Sequence, residues 1–146
     1  MTPSEIRAEL LGQHAKIRAM MDELRELSRR ARAGEPVVDL LQAGVTRLAA
    51  AIVEHNLREE ELLRPIIPTV DAWGAVRAEI MDESHIREHQ ELWDAVAGLA
   101  HTPSEFAGAG VEELFQRVLE HMEHEEKALL SEDVLHEGTV IVEPGG

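Results

Sequence analysis

The chain has 146 residues, no cysteine and a net charge of −15 at neutral pH. This length fits one domain with a core of its own, and the missing cysteines exclude disulfides, thiolate metal sites and a cysteine nucleophile. The acidic charge argues against nucleic acid and anionic membranes as partners, because phosphate groups would be repelled. The first residues lack a secretory signal and no apolar run is long enough to cross a bilayer, so we expect a soluble, cytoplasmic protein.

Four helices are predicted in chain order. The first begins at a capping box, in which Thr2 caps and Glu5 reaches back, and it ends at Gly34. The second ends near Pro65, and the third starts around Asp71. A second Thr-Pro-Ser-Glu sequence, at 102–105, marks the turn into the fourth helix.

Apolar residues recur at helical spacing in all four segments. They are Ile6, Leu10, Ile17, Met21 and Leu24 in the first; Leu41, Val45, Leu48, Ile52 and Leu62 in the second; Leu92, Val96 and Leu99 in the third; and Leu114, Val118, Ala128 and Leu129 in the fourth. Only residues 138–144 suggest a short strand or an extended tail. The pattern predicts an all-α protein: an antiparallel up-down-up-down four-helix bundle over residues 1–132 with a C-terminal tail over 133–146.

Polar residues interrupt these apolar stripes on every predicted helix. They are His14, His55, Glu59, His85, His89, His121 and Glu125. Residues four apart project side by side from one helix face, so the pairs point together into the core. A single inward histidine is more often a hydrogen-bonded core residue, and a lone i, i+4 pair is often a surface contact. Convergence from four helices, with no cation on the same stripes, favours a metal site.

The ligand count indicates two ions. Five imidazoles, two bridging carboxylates and one shared oxo or hydroxo bridge fill all but about one of roughly twelve positions of two octahedral ions. The open position would bind a small exogenous molecule, whereas a structural site would be closed. The ligand types alone are compatible with iron, zinc or manganese.

Two other helical metal motifs do not fit the sequence. Ferritin-like di-iron bundles supply Glu-x-x-His, which does not occur here. The His-Glu-x-x-His motif of zinc proteases is also missing.

The ordered spacing of these residues resembles hemerythrin and the bacterial hemerythrin-like HHE cation-binding domains, over about residues 5 to 130. The resemblance implies two non-haem iron ions. It implies that five histidines are terminal ligands: His14, His55, His85, His89 and His121. It also implies that two carboxylates bridge the irons, one from Glu59 and one from the fourth helix.

The fourth helix offers two carboxylates for that bridge. Oxygen-carrying hemerythrins place an aspartate five residues after the last histidine, where this chain has Glu126, while Glu125 stands at four. We prefer Glu125, because a four-residue step stays on the face of His121 and repeats the spacing of His55 and Glu59. A glutamate at this position departs from the carrier pattern, so it puts reversible oxygen carriage in question and leaves the metal site intact.

Three functional classes follow from such a centre. The first is a binding protein for dioxygen or a related diatomic molecule, and this is the function that we predict. The second is an enzyme that reduces peroxide or nitric oxide with an external electron donor. The third is an iron-handling or iron-sensing module. The ligand set supports all three, and it leaves open whether the protein is an enzyme.

Overall fold

The computed structural model describes residues 1–66, 83, 87, 88, 90, 91, 94, 109–130 and 135. This part of the chain is all helical and contains no strand; its helices are α1 (Pro3–Arg32), α2 (Val38–Leu63) and α3 (Ala109–Ala128). Residues 83, 87, 88, 90, 91 and 94 are also helical. Helix α3 is the fourth helix of the sequence prediction, and most of the third predicted helix and of the tail lies outside the described residues. No helix in the described part is long and apolar enough to cross a membrane.

Helix α1 starts and stops where the sequence predicts. The Thr2 hydroxyl accepts the backbone N–H of Glu5 at 3.2 Å, and the Glu5 carboxylate accepts the backbone N–H of Thr2 at 2.7 Å, which completes the capping box. At the other end Gly34 has φ 87°, a value that glycine adopts without strain. This turn lets the Glu35 N–H reach the Arg30 carbonyl at 3.1 Å and close the helix end.

Two separate apolar clusters hold the described helices together. The large cluster consists of Ile17, Met21, Leu24, Leu41, Val45, Leu48, Ile52, Leu114, Phe115, Val118 and Met122. The small cluster consists of Ile6, Leu10, Leu63, Ile66, Leu129, Leu130 and Leu135. The small cluster takes the first turns of α1 but the last turns of α2 and α3. Helix α1 therefore runs antiparallel to both, and α2 and α3 point the same way.

The buried stripe of α2 ends one residue later than predicted, and that of α3 includes the predicted Leu129 but not the predicted Ala128. Leu63 is fully buried whereas Leu62 is only partly buried, and Leu129 is buried whereas Ala128 is exposed. In both helices the buried leucine lies four residues after a buried glutamate. The stripe continues here in four-residue steps, which keeps it within about 40° of the same face.

Side-chain contacts tie the helix ends near the small cluster. The Arg7 guanidinium donates to the Leu130 carbonyl at 2.7 Å, which joins the start of α1 to the end of α3. The Arg58 guanidinium donates to the Glu9 carboxylate at 3.1 Å, which joins α2 to α1. These contacts fix the axial positions of the three helices relative to one another. The axial positions determine which polar residues meet in the core.

Candidate metal centre

Five ionisable side chains form one buried layer between the two apolar clusters. Their exposed fractions are small: His14 0%, His55 3%, Glu59 0%, His121 7% and Glu125 2%. Helix α1 contributes one histidine, while α2 and α3 each contribute a histidine and a glutamate four residues later. Charged groups are almost never this buried unless they are paired or bind a metal, so this layer, called the buried polar layer below, is the candidate site.

The local sequence explains why all five side chains reach one level. A four-residue step on a helix rotates by about 40° and rises about 6 Å, so each histidine and its glutamate share the buried face. Because α2 and α3 run in the same direction, the two pairs stand opposite each other. His14 lies between Leu10 and Ile17 on the buried stripe of α1 and enters the same layer.

The imidazole Nε2 atoms converge on the two carboxylates. His55 Nε2 lies 3.0 Å from Glu59 Oε2, and His121 Nε2 lies 3.1 Å from Glu125 Oε1. The same Glu125 oxygen is 3.4 Å from His14 Nε2 and 3.7 Å from His55 Nε2. The Nε2 atoms of His14 and His55 are themselves 3.1 Å apart. Glu125 is thus the meeting point of all three helices.

These donor atoms fit a metal cation. One ligand atom from each of His14, His55, Glu59 and Glu125 lies within 4.8 Å of all the others, and His121 joins this group through Glu125. Two ligands at right angles, each about 2.1 Å from one ion, stand about 3 Å apart, which is close to the shortest separations in the layer. Imidazole nitrogen with carboxylate oxygen suits iron, zinc and manganese alike.

In the metal-free chain the layer holds protons on two of its imidazoles and one of its carboxyls. Burial raises the pKa of Glu59, the adjacent Glu125 raises it further, and the value reaches about 8 although His55 opposes the shift. Burial alone would lower the pKa of His55 and His121, but the nearby carboxylates outweigh it and raise each pKa to about 9. Burial would raise the pKa of Glu125, yet hydrogen bonds from Glu59 and the histidines hold it well below 4.5. At neutral pH these protons occupy lone pairs that a cation would take.

Each histidine of the layer also has an oxygen atom near its outward Nδ1. The Gln13 side-chain oxygen is 2.7 Å from His55 Nδ1, and a Glu88 carboxylate oxygen is 2.5 Å from His121 Nδ1. Sequence reasoning missed both residues. A spacing rule within one helix cannot pair residues that are 42 or 33 positions apart. The sequence showed only that Gln13 and Glu88 each directly precede a predicted histidine ligand.

The two candidate carboxylates of the fourth predicted helix lie in different surroundings. Glu125 is in the buried polar layer, whereas Glu126 forms a two-pronged pair with Arg18 at 3.1 and 2.6 Å. One Glu126 oxygen is also 3.5 Å from His14 Nδ1. The Arg18 guanidinium and the His14 ring lower the pKa of Glu126, although burial works against the shift. Glu126 therefore lies outside the buried polar layer, on the Nδ1 side of His14.

The remaining predicted ligands, His85 and His89, lie outside the described residues. His124 is described and is 59% exposed, as expected for a residue on the solvated face of its helix. The structure thus brings together five of the seven predicted ligands, which are His14, His55, Glu59, His121 and Glu125.

Comparison with known proteins gives one family match, which covers most of the chain. A family model described as the hemerythrin HHE cation binding domain matches residues 5–132. Comparisons with curated proteins and with solved structures found no significant match. The matched range contains the whole buried polar layer together with His85 and His89.

Proposed function

The chain belongs to the hemerythrin HHE cation-binding domain family, and we propose that it is a non-haem di-iron protein that binds dioxygen, or a related diatomic molecule, at an open iron position. The observation that carries the proposal is the buried polar layer. Three imidazoles and two carboxylates turn their donor atoms toward one another inside an otherwise apolar core. Family membership supplies a reason for this arrangement, since the family takes its name from cation binding.

The proposed ligand set is the one that the sequence predicts. It consists of His14, His55, Glu59, His85, His89, His121 and Glu125, with the two glutamates as bridges between two irons. Glu88 lies between His85 and His89 in the sequence and contacts His121, which supports placing that segment beside α3. We therefore propose that residues 1–132 form an antiparallel four-helix bundle, with residues 133–146 as a tail.

The chain's own residues would keep the centre dry and its ligands fixed. The large and small apolar clusters lie on either side of the buried polar layer. Met122 is buried next to His121, and Leu119 packs at the edge of the large cluster, so apolar walls face the site and limit attack by water. When bound, a pair of ferrous ions supplies the electrons that dioxygen accepts. The protein residues would hold the ions and exclude water from them.

The experiment that tests this function is an optical oxygen titration of iron-loaded protein prepared without air. Repeated cycles of oxygen and argon are expected to produce and remove a charge-transfer band. His55→Ala should abolish the band, because it removes a donor from the buried layer. His124→Ala is the matched control, since it removes a solvent-exposed histidine one turn from His121 and should leave the band unchanged.

The same titration separates the alternatives. Iron that oxidises once and does not recover under argon would contradict reversible binding and indicate a peroxide- or nitric-oxide-reducing enzyme with an external electron donor. Iron that is taken up and released with a large change in stability, but gives no band with oxygen, would indicate an iron-handling or iron-sensing module. Tight zinc or manganese binding with no iron uptake would replace iron as the proposed metal.

A further inference from the structure

All three described histidines of the buried polar layer have the same orientation. Each turns Nε2 toward the carboxylates and Nδ1 toward an oxygen atom outside the layer. An imidazole that binds a cation through Nε2 keeps its proton on Nδ1, and this N–H donates to the outer acceptor. The acceptor fixes the ring and, when it is negatively charged, makes Nε2 a stronger electron donor.

The three residues whose oxygen atoms face Nδ1 differ in charge. Gln13, behind His55, is a neutral amide. Glu126, 3.5 Å from His14 Nδ1, is a carboxylate whose charge is matched by the two-pronged contact with Arg18. Glu88, at 2.5 Å from His121 Nδ1, is a carboxylate that has no arginine or lysine within ion-pair distance among the described residues.

The other described ion-pair contact of Glu88 is His124 Nδ1 at 3.9 Å, a longer distance to an exposed side chain. His121 therefore has the closest facing oxygen atom of the three rings, and that oxygen belongs to a carboxylate with no arginine or lysine within ion-pair distance in the described part of the chain. The contact also crosses from the segment between His85 and His89 to α3, so it fixes His121 from a second part of the chain.

We propose that Glu88 is a positioning residue that orients His121 and makes its Nε2 the strongest electron donor among the three described imidazoles. This inference rests on the proposed function, because it assumes a cation in the layer. Loss of the carboxylate charge weakens the hold of His121 on the cation and favours a lower oxidation state of the metal. Loss of a similar charge that does not contact a ring has neither effect.

The chain offers a matched control for this distinction. Glu88 is 32% exposed and lies on the wall of a cavity of about 300 Å³ that Glu91, Arg117, Glu120, His121 and His124 also line. The Arg117 guanidinium pairs with Glu113 at 3.0 Å. Glu91→Gln removes the same charge from the same cavity, whereas Glu88→Gln removes it from the contact with the ring. The two variants have equal net charge, so a general electrostatic effect would appear in both.

The test uses cobalt(II) with the full-length chain freed of metal, because cobalt absorption reports the ligand field without any oxygen chemistry. Competition with a chelator gives the affinity, and the visible bands give the spectroscopic signature. Glu88→Gln is expected to bind cobalt about 10- to 100-fold more weakly, with shifted bands. Glu91→Gln is expected to match the wild type in both. Gln13→Glu, which places a carboxylate behind His55, is expected to bind more tightly than the wild type.

Equal affinity and equal bands in wild type, Glu88→Gln and Glu91→Gln would overturn the inference, as would an equal loss in both variants. If Glu88→Gln does not fold, Gln13→Glu decides the question: tighter cobalt binding supports the inference and unchanged affinity overturns it. A wild-type chain that binds no cobalt and no iron overturns the proposed function and the inference together. Metal binding that is insensitive to Glu88 overturns the inference alone.

Discussion

The clearest quantitative prediction concerns Glu59→Gln in the metal-free protein. Glu59 is fully buried and its pKa is raised to about 8 from an ordinary value of 4.5. At pH 7 the folded chain must therefore keep this carboxyl protonated, while the unfolded chain leaves it ionised. Keeping the proton at pH 7, about 2.5 units above the ordinary pKa of 4.5, costs about 1.4 kcal/mol per unit. The folding penalty is therefore about 3 kcal/mol.

The sign of the effect follows from proton linkage. The native state binds the extra proton, so the contribution of Glu59 to stability falls as pH rises from about 4.5 to about 8. Glutamine has nearly the same shape, keeps a hydrogen-bond donor for Glu125 and never ionises. The variant should be more stable than metal-free wild type by about 3 kcal/mol at pH 7 and by about 1 kcal/mol at pH 5.

Urea unfolding of both proteins at the two pH values measures this gain. Glu54→Gln, on the exposed face of the same helix, is the matched control and should change stability by less than about 0.5 kcal/mol. With bound metal the order should reverse, because glutamine cannot bridge ions as a carboxylate does. A metal-free Glu59→Gln variant that is no more stable at pH 7 than wild type, or whose gain is the same at pH 5, would show that burial of Glu59 does not cost the folded state a proton.

Three further predictions concern the site and the fold. Glu125→Gln should lower the metal content per chain, measured by plasma emission, whereas Glu126→Gln should keep it; the opposite result would make Glu126 the ligand. Metal affinity should rise by at least about tenfold per pH unit near pH 7 and level off above about pH 9. The reason is that His55 and His121, with pKa values of about 9, must lose protons to bind a metal. A pH-independent affinity would contradict this proton displacement. Gly34→Ala should cost about 1 kcal/mol in urea unfolding, because φ 87° strains any other residue there, and an unchanged midpoint would mean that the turn relaxes freely.

Much of the described fold was predictable from hydrophobic spacing and end signals. The capping box at Thr2 and the stop at Gly34 are local features, and the structure confirms both. The all-helical class of the described residues is also confirmed, because long 3.6-residue periodicity has few alternative interpretations. The errors at Leu62 and Ala128 lie at the ends of α2 and α3, where the adjacent Leu63 and Leu129 are the buried residues.

The inward positions of His14, His55 and His121 were predictable because each interrupts an apolar stripe and therefore conflicts with the surrounding pattern. The choice of Glu125 over Glu126 needed only helix geometry, and the structure places Glu125 inside the buried layer and Glu126 on Arg18. The roles of Gln13 and Glu88 were not predictable in this way. Their contacts depend on the relative height and rotation of different helices, which no single-helix spacing determines.

The most direct test of the proposed di-iron centre is the metal content of protein purified without air and supplied with ferrous iron. A di-iron centre should give about two irons per chain, bound tightly enough to survive gel filtration. A His55→Ala, Glu125→Gln double variant, prepared identically, should retain far less. A wild-type chain that retains no metal would rule out the metal centre, and the buried histidines and glutamates would then be a proton-sharing network of the core.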